Sequence, residues 1–397
     1  MRGDRARHSG RRRAALAILA AGVVLAVAGI VLPFILGAAF VSYPGGPVDQ
    51  SIRATGTYTL LVNPATLVPQ SPQRQPLSLE RRLRTVETTG NTVIMQQDDS
   101  EKIGPLPPLV FSQRYAIDQD SVRNVASPQA YAYAPGNTVD RSPAYSVNLP
   151  LGTGNGPYLL WDDATGQTYP LTAQGSVTRD GLQLLRFHGH LAGARVSPAF
   201  LTALAPLGLP ATATLTDLTP QLTAAGVDVT QLLSGPLRQL DSTDQNVVKG
   251  IINAPITVGY LLTTDVTLLV YPKTGTIVSL DHASQTLAMR PEIAGIGRVL
   301  AILSQAKYAA KPDVVAAAAQ VAKLITAPPT TPLFTVSYAQ TPPTVASVAA
   351  FAQSRGNDID TLTVTIPLIV GLVGLVLILV AVAELTWGRR RARRQHA

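Results

Sequence analysis

The chain has 397 residues, no cysteine, a hydrophobic fraction of 46%, and 32 Lys and Arg against 24 Asp and Glu. The formal charge of +8 invites a nucleic-acid reading, but 11 of the basic residues crowd the two ends, leaving 21 basic against 22 acidic side chains between them. That near-neutral middle excludes a broad electrostatic footprint for nucleic acid, and the lack of cysteine excludes a disulfide-stapled scaffold, so the fold must rest on its own core.

Ala14 to Val41 carries no charge over 28 residues, more than the roughly 20 that cross a bilayer core. Arg2, Arg5, Arg7, Arg11, Arg12 and Arg13 precede it. A basic start, an apolar run and the small residues Gly37, Ala38 and Ala39 also fit a signal peptide. The run is too long for a signal core of about 7 to 15 residues, and an uncleaved anchor is expected. A second uncharged run, Leu362 to Ala383, lies between Asp360 and Glu384 and is followed by Arg389, Arg390, Arg391, Arg393 and Arg394. The positive-inside rule then places the tails, 1–13 and 384–397, in the cytoplasm. Residues 42–361 become one extracytoplasmic domain held at the plasma membrane by two spans. The arginines serve topology, with binding of anionic lipid as the alternative.

From residue 42 to about 194 the chain is rich in Thr, Val, Tyr, Pro and Gly in short alternating runs, the pattern of antiparallel sheet. Thr55 to Val62 reads as a strand ended by Asn63-Pro64, and Arg81 to Gln97 as one or two more. Leu159 to Tyr169 and Leu268 to Val278 each read as strand, turn and return strand, with Gly166 and Gly275 supplying the left-handed residue. Asp162 and Asp163 are expected to form the first of these turns, a catalytic or metal-binding role being the alternative.

Helical spacing begins in 198–209 and 215–240. Pro291 and Glu292 suit the first turn of a helix with Ile293, Ile296, Leu300 and Leu303 on its apolar stripe, and Pro312-Asp313 starts another through Val315, Ala319, Ala322 and Ile325. The stretch 328–343 reads as a semi-extended connector and 345–355 as a short amphipathic turn. The fold class expected is α+β: a β-rich antiparallel sheet or barrel with inserted helices, between two transmembrane helices.

No Gly-x-Ser-x-Gly elbow, Walker loop, cysteine nucleophile or His-Glu-x-x-His helix occurs. No catalytic residue, cofactor or enzymatic activity is therefore expected. The metal candidates are His188 and His190, which share one face of a strand. Two ligands are too few, and nothing fixes a third among Asp162, Asp163 and His282, so exposed strand histidines are expected instead. Asp98-Asp99 and Asp118 with Asp120 read as solvated acids. Arg81, Arg82 and Arg84 near Glu80 and Glu87 read as a salt-bridged strand, with contact to an anionic headgroup as the alternative.

Several weak motifs gain weight from their order: Gly56-Thr-Tyr58 after the first span, Trp161 to Tyr169 with its Thr-Gly turn, Asp180 to Phe187, Val270 to Val278, and a last span ending in arginines. In this order the chain resembles the actinobacterial PorA family of membrane proteins of unknown function, departing from it in the Ala-rich stretch 198–240. The resemblance implies a periplasmic domain between two spans, association with mannosylated phosphoinositide glycolipids, and a part in lipomannan assembly. In topology and β-rich character alone, the layout is similar to class B scavenger receptors, whose ectodomains enclose a lipid tunnel. The function expected is membrane-anchored, extracytoplasmic lipid or glycolipid binding that assists envelope lipoglycan assembly beside glycosyltransferase machinery. An envelope glycan-processing enzyme or a channel subunit is the alternative. The small apolar face of Val315, Ala319 and Ala322 is the first choice for a wall against the ligand.

Overall fold

The computed structural model describes residues 2–40, 43, 47–64 and 66–394. The boundary expected at Val41 and Ser42, the last three residues and the side chains of the tail arginines lie outside the described residues. The chain divides into two units: Met1–Pro47 with Ala350–Ala397, and Val48–Ala349.

Helix α1 (Arg2–Phe40) contains the apolar stretch Ala14–Ile35. Val24, Ile30 and Phe34 are 66%, 70% and 75% exposed, so much of this helix presents apolar side chains without protein cover, as a helix that crosses a bilayer does.

The larger unit is built on antiparallel hairpins. Strands β1 (Asp49–Val62), β2 (Pro69–Thr89), β3 (Thr92–Ile103) and β4 (Leu109–Asp118) form a meander. After the irregular stretch 119–157 come β5 (Tyr158–Asp162), β6 (Gln167–Arg179) and β7 (Leu182–Arg195). A helical insertion follows, with α2 (Pro198–Ala203), the two-residue strand β8 (Thr212–Ala213), α3 (Leu215–Ala224), α4 (Val229–Gln239) and α5 (Ser242–Ile252). The α3 helix starts on a capping box in which Thr214 and Asp217 satisfy each other's backbone donors. Then β9 (Ile256–Tyr271) and β10 (Thr276–Glu292) pair, α6 (Ile296–Leu303) and α7 (Pro312–Thr326) cross, and β11 (Thr331–Gln340) returns to the sheet.

The sheet runs β4-β3-β2-β1-β11-β10-β9-β7-β6-β5, with β8 beside β9. The fold is α+β. Register shifts in the β6/β7, β7/β9 and β9/β10 pairs add local twist and bend. The two ends of the strand order are joined through 119–157, where Tyr131 bridges to Arg114 on β4 and Tyr145 bridges in parallel to Leu160 on β5. This closing segment also lies against the β9/β10 turn, for Leu149 donates to the carbonyl of Gly275 at 2.9 Å. Gly275 has φ +66°, and any Cβ there would collide with the Leu149 carbonyl, so both backbone conformation and close approach demand glycine.

Three expectations are corrected, two of them in the sheet. The 328–343 stretch is no connector, because Thr331–Gln340 forms β11 in the middle of the sheet, between β1 and β10. Its alternating Leu, Phe, Val and Tyr suit a strand, and Pro332 is tolerated at a register shift against β10. Pro291 and Glu292 are likewise strand, paired with Val258 and Thr257. The helix begins only at Ile296, after Gly295 turns the chain at φ +78°.

The core lies between sheet and insertion, where Leu218, Leu222, Leu287 and Phe334 are buried in one cluster. A second cluster, with Val248, Val299, Tyr308 and Val314, holds the helices together. Beyond β11 the chain continues as α8 (Pro342–Asp360), a π turn at Thr361–Thr365 and α9 (Ile366–Arg394). The short turn expected at 345–355 is thus part of a 19-residue helix. Within the smaller unit α1 and α9 meet at glycines: a Cβ on Gly29 would lie 2.6 Å from the Gly371 Cα, and one on Gly22 would lie 2.9 Å from the Gly374 oxygen. Such contact is open only to helices with small residues at the seam.

Candidate functional site

A cavity of about 220 Å³ lies on the inner face of the sheet, where strand alternation decides what points in. On β3 the residues of one parity are Gln97, Asp99 and Glu101, and on β4 they are Phe111, Gln113 and Tyr115; all six line the cavity. Asp99, 5% exposed, accepts two hydrogen bonds of 2.9 Å from the Arg81 guanidinium and one of 2.8 Å from Gln97. Burial works to discharge Arg81, but the charge and hydrogen bonds of Asp99 outweigh it, and the Arg81 pKa is raised.

Asp163 holds the second polar cluster. It accepts from Arg141 Nε at 2.7 Å, Trp161 Nε1 at 3.0 Å and the Tyr115 hydroxyl at 3.0 Å. Arg141, 2% exposed, spends its other donors on the carbonyls of Arg114 and Tyr131 and lies 4.5 Å from the Tyr115 ring centroid. One arginine of the closing segment thereby ties β4 to the β5/β6 turn. Asp162 does what was expected of both aspartates: it accepts from the Thr165 backbone and hydroxyl at 2.8 Å and shapes the turn. Burial pushes the Asp162 pKa up while those bonds hold it down.

Burial, with the Asp99 charge adding to it and Arg81 opposing, pushes Glu101 up to about 7. Burial also raises the Tyr115 and Tyr133 hydroxyls well above the usual phenol value and Tyr338 to about 12, so all three are neutral hydrogen-bond donors at physiological pH. Apolar and aromatic side chains also line the cavity. Phe111, Tyr133 and Phe200 stack as an aromatic trio with centroids 5.2 to 6.3 Å apart, beside Leu204, Leu207, Leu287 and Phe334. Tyr133 holds φ +66°, a conformation a tyrosine rarely adopts, and its ring lines the cavity.

Sequence reasoning missed this site because it took Asp98-Asp99 and the arginines as adjacent groups. On a strand they part. Asp98 faces outward, accepting from Ser112 at 2.8 Å and pairing with Arg84 at 3.5 Å, and Arg82 pairs outward with Asp49 at 2.7 Å. Glu80 meets Arg53, and Glu87 accepts from Thr89. The available signal was three polar residues of one parity, Gln97, Asp99 and Glu101, between the apolar Met95 and Ile103. Asp118 and Asp120 share the Asn91 amide, and Asp118 also caps Ser121.

His188 and His190 do share a face, and both reach one oxygen of Asp265, at 3.0 and 3.4 Å. They are partly exposed and lie outside the cavity lining. His282 stands opposite Thr267 in the β9/β10 register. Among the described residues, no group of three or more His, Cys, Asp or Glu is arranged to hold a metal ion.

The wall choice on α7 is corrected. Val315 is 49% exposed, Ala319 is exposed and Ala322 half-buried, and none of them lines the cavity described above. The buried face is Val314, Ala317 and Val321. Val and Ala occur all round this helix, so i, i+4, i+7 spacing selects a stripe on either side. Val321 and Leu324 line a second, wholly apolar cavity of about 40 Å³ with Leu222, Val227, Ile256 and Ile296.

No curated protein matches the chain. The family described as porin PorA does, over residues 14–383. That match takes in the first apolar helix, the whole sheet unit and the apolar part of α9, and the chain belongs to the porin PorA family.

Proposed function

We propose that the Val48–Ala349 unit holds an amphipathic lipid or glycolipid in its larger cavity, outside the plasma membrane, and serves envelope lipoglycan assembly without transforming its ligand. The observation that carries this reading is a cavity lined both by hydrogen-bonding side chains and by aromatic and leucine side chains. Apolar surface left wet costs about 25 cal/mol per Å², while buried hydrogen-bonding groups need partners. An amphiphile answers both demands. The volume of 220 Å³ exceeds the apolar cavity of about 150 Å³ that already admits benzene.

Catalysis on a glycan would need two opposed, available carboxyl groups. Asp99 and Asp163 are each held by an arginine and further donors and Asp162 by Thr165, which leaves Glu101 as the one available carboxyl among the lining residues and favours binding over turnover. The family description names a porin, but Arg53, Glu80, Arg82 and Asp49 project from the sheet with side chains 56% to 70% exposed. Charges on a lipid-facing barrel surface cost about 2 to 4 kcal/mol each near the midplane. This is a sheet built to face water. Two apolar helices per chain enclose no pore by themselves, and a channel would need several copies. Work beside envelope glycosyltransferases rests on the family resemblance.

The test is native mass spectrometry of the full chain purified in mild detergent. The wild type is expected to carry a lipid-sized adduct, and Gln285→Trp, which places an indole in the cavity, to lose it while keeping the circular dichroism spectrum of the folded wild type. A wild type that neither carries nor takes up lipid would sink the reading.

A further inference from the structure

We propose that the polar wall of the larger cavity selects an uncharged, hydroxyl-rich headgroup, a glycosyl or polyol group, and rejects a phosphate. This rests on the cavity holding an amphiphile. The evidence is which charges are already paired. Arg81, which gives two of its hydrogen bonds to Asp99, is the one cation among the residues that line the cavity, against the carboxyls of Asp99, Glu101, Asp162 and Asp163, and Arg141 is committed to Asp163 and two backbone carbonyls. A phosphate entering here could reach only the outer donors of a guanidinium whose charge Asp99 already balances, and it would add its own charge to a lining that holds more carboxyls than cations.

What remains open is neutral hydrogen-bonding capacity. The Tyr133 and Tyr338 hydroxyls and the Gln285 amide line the cavity and have no side-chain hydrogen bond among the described residues. Together they offer donors and acceptors without net charge, the complement of a sugar hydroxyl, which both gives and accepts. The Glu101 carboxyl, similarly without a partner, accepts from a hydroxyl when ionised and donates when protonated. Trp161 and Tyr133 supply flat ring surface beside them. Sites built on such groups discriminate strongly, because a ligand lacking the hydroxyls leaves buried polar groups unpaired.

The experiment uses the full chain in phosphatidylcholine nanodiscs, carrying Trp387→Phe so that Trp161, on the cavity wall, is the only tryptophan of the two left to report. Hexyl glucoside, hexyl phosphate and hexyltrimethylammonium are titrated while emission is followed. Hexyl glucoside is expected to bind at least about tenfold more tightly than either charged amphiphile, a difference of about 1.4 kcal/mol. Phosphate or ammonium binding as tightly as glucoside overturns the selectivity but leaves the binder reading standing. No response to any of the three overturns both. Asp99→Asn, which frees Arg81, is expected to raise phosphate affinity at least about tenfold; unchanged affinity in the folded variant also overturns the proposal. If that variant does not fold, the wild-type ranking decides.

Discussion

Two cavities of the sheet unit differ in what their linings leave undone. The smaller, about 40 Å³, is lined by Leu, Ile and Val alone. It has room for water but nothing to hold it, since a buried water needs two to four polar partners. It is a packing space beneath the helices. The larger has a charged network closed on itself and, next to it, hydroxyl, amide and carboxyl groups still open. Volume alone does not mark a site. Unspent hydrogen bonding does, and the comparison divides the residues into those that hold the walls up and those that face a ligand.

The largest expected effect tests the supports. Arg141→Ala removes the buried cation that joins β4, the closing segment and the β5/β6 turn, leaving Asp163 uncompensated. A loss of about 3 to 5 kcal/mol is expected, read by chemical denaturation with a sheet-sensitive circular dichroism signal. A cost under about 1 kcal/mol would mean that this network does not close the cavity.

Leu222→Ala comes next, since Leu222 is 1% exposed and borders the small cavity. Enlarging a space that cannot wet should cost about 2 to 4 kcal/mol and leave hexyl glucoside binding unaltered. A large change in binding with little loss of stability would reverse the roles assigned to the two cavities.

The smallest effect concerns Glu101 and is set by pH. Its folded pKa of about 7 stands above the 4.5 of a free glutamate, so the proton it keeps on folding favours the native state most below about 4.5. That contribution is lost as pH rises to about 7. Because the side chain faces an open cavity and solvent screens part of the effect, about 1 to 2 kcal/mol is expected. Glu101→Gln should flatten the decline in melting temperature between pH 5 and 8. Parallel curves for wild type and variant would show that Glu101 is ordinarily solvated.

The groups that hold and fill the larger cavity were hard to find for a local reason. Turns are governed by one residue's backbone, and Gly166 and Gly275 were both legible, with φ of +68° and +66°. Direction is not local. Reading Asp98-Asp99 as a pair ignored that neighbours on a strand face opposite ways, and calling Asp163 a turn former missed that it turns inward to Arg141, 22 residues earlier. The 328–343 stretch was misjudged because prolines at its ends outweighed the alternation inside it.

By itself, the sequence determined the features that need no partner. Two uncharged runs long enough to span, antiparallel hairpins at Thr-Gly turns, the helix start at Pro312 and the α+β class all follow from hydropathy, period and backbone preference over a few residues. Tertiary structure decided the rest. It placed β11 at the centre of the sheet, chose which face of α7 is buried, and brought Arg81 and Asp99 from paired strands to one cavity with Asp163, which Arg141 of the closing segment holds. Those outcomes depend on pairings between residues tens to hundreds apart, and the free energy that selects them comes from burial and hydrogen bonds made only after the chain has closed on itself.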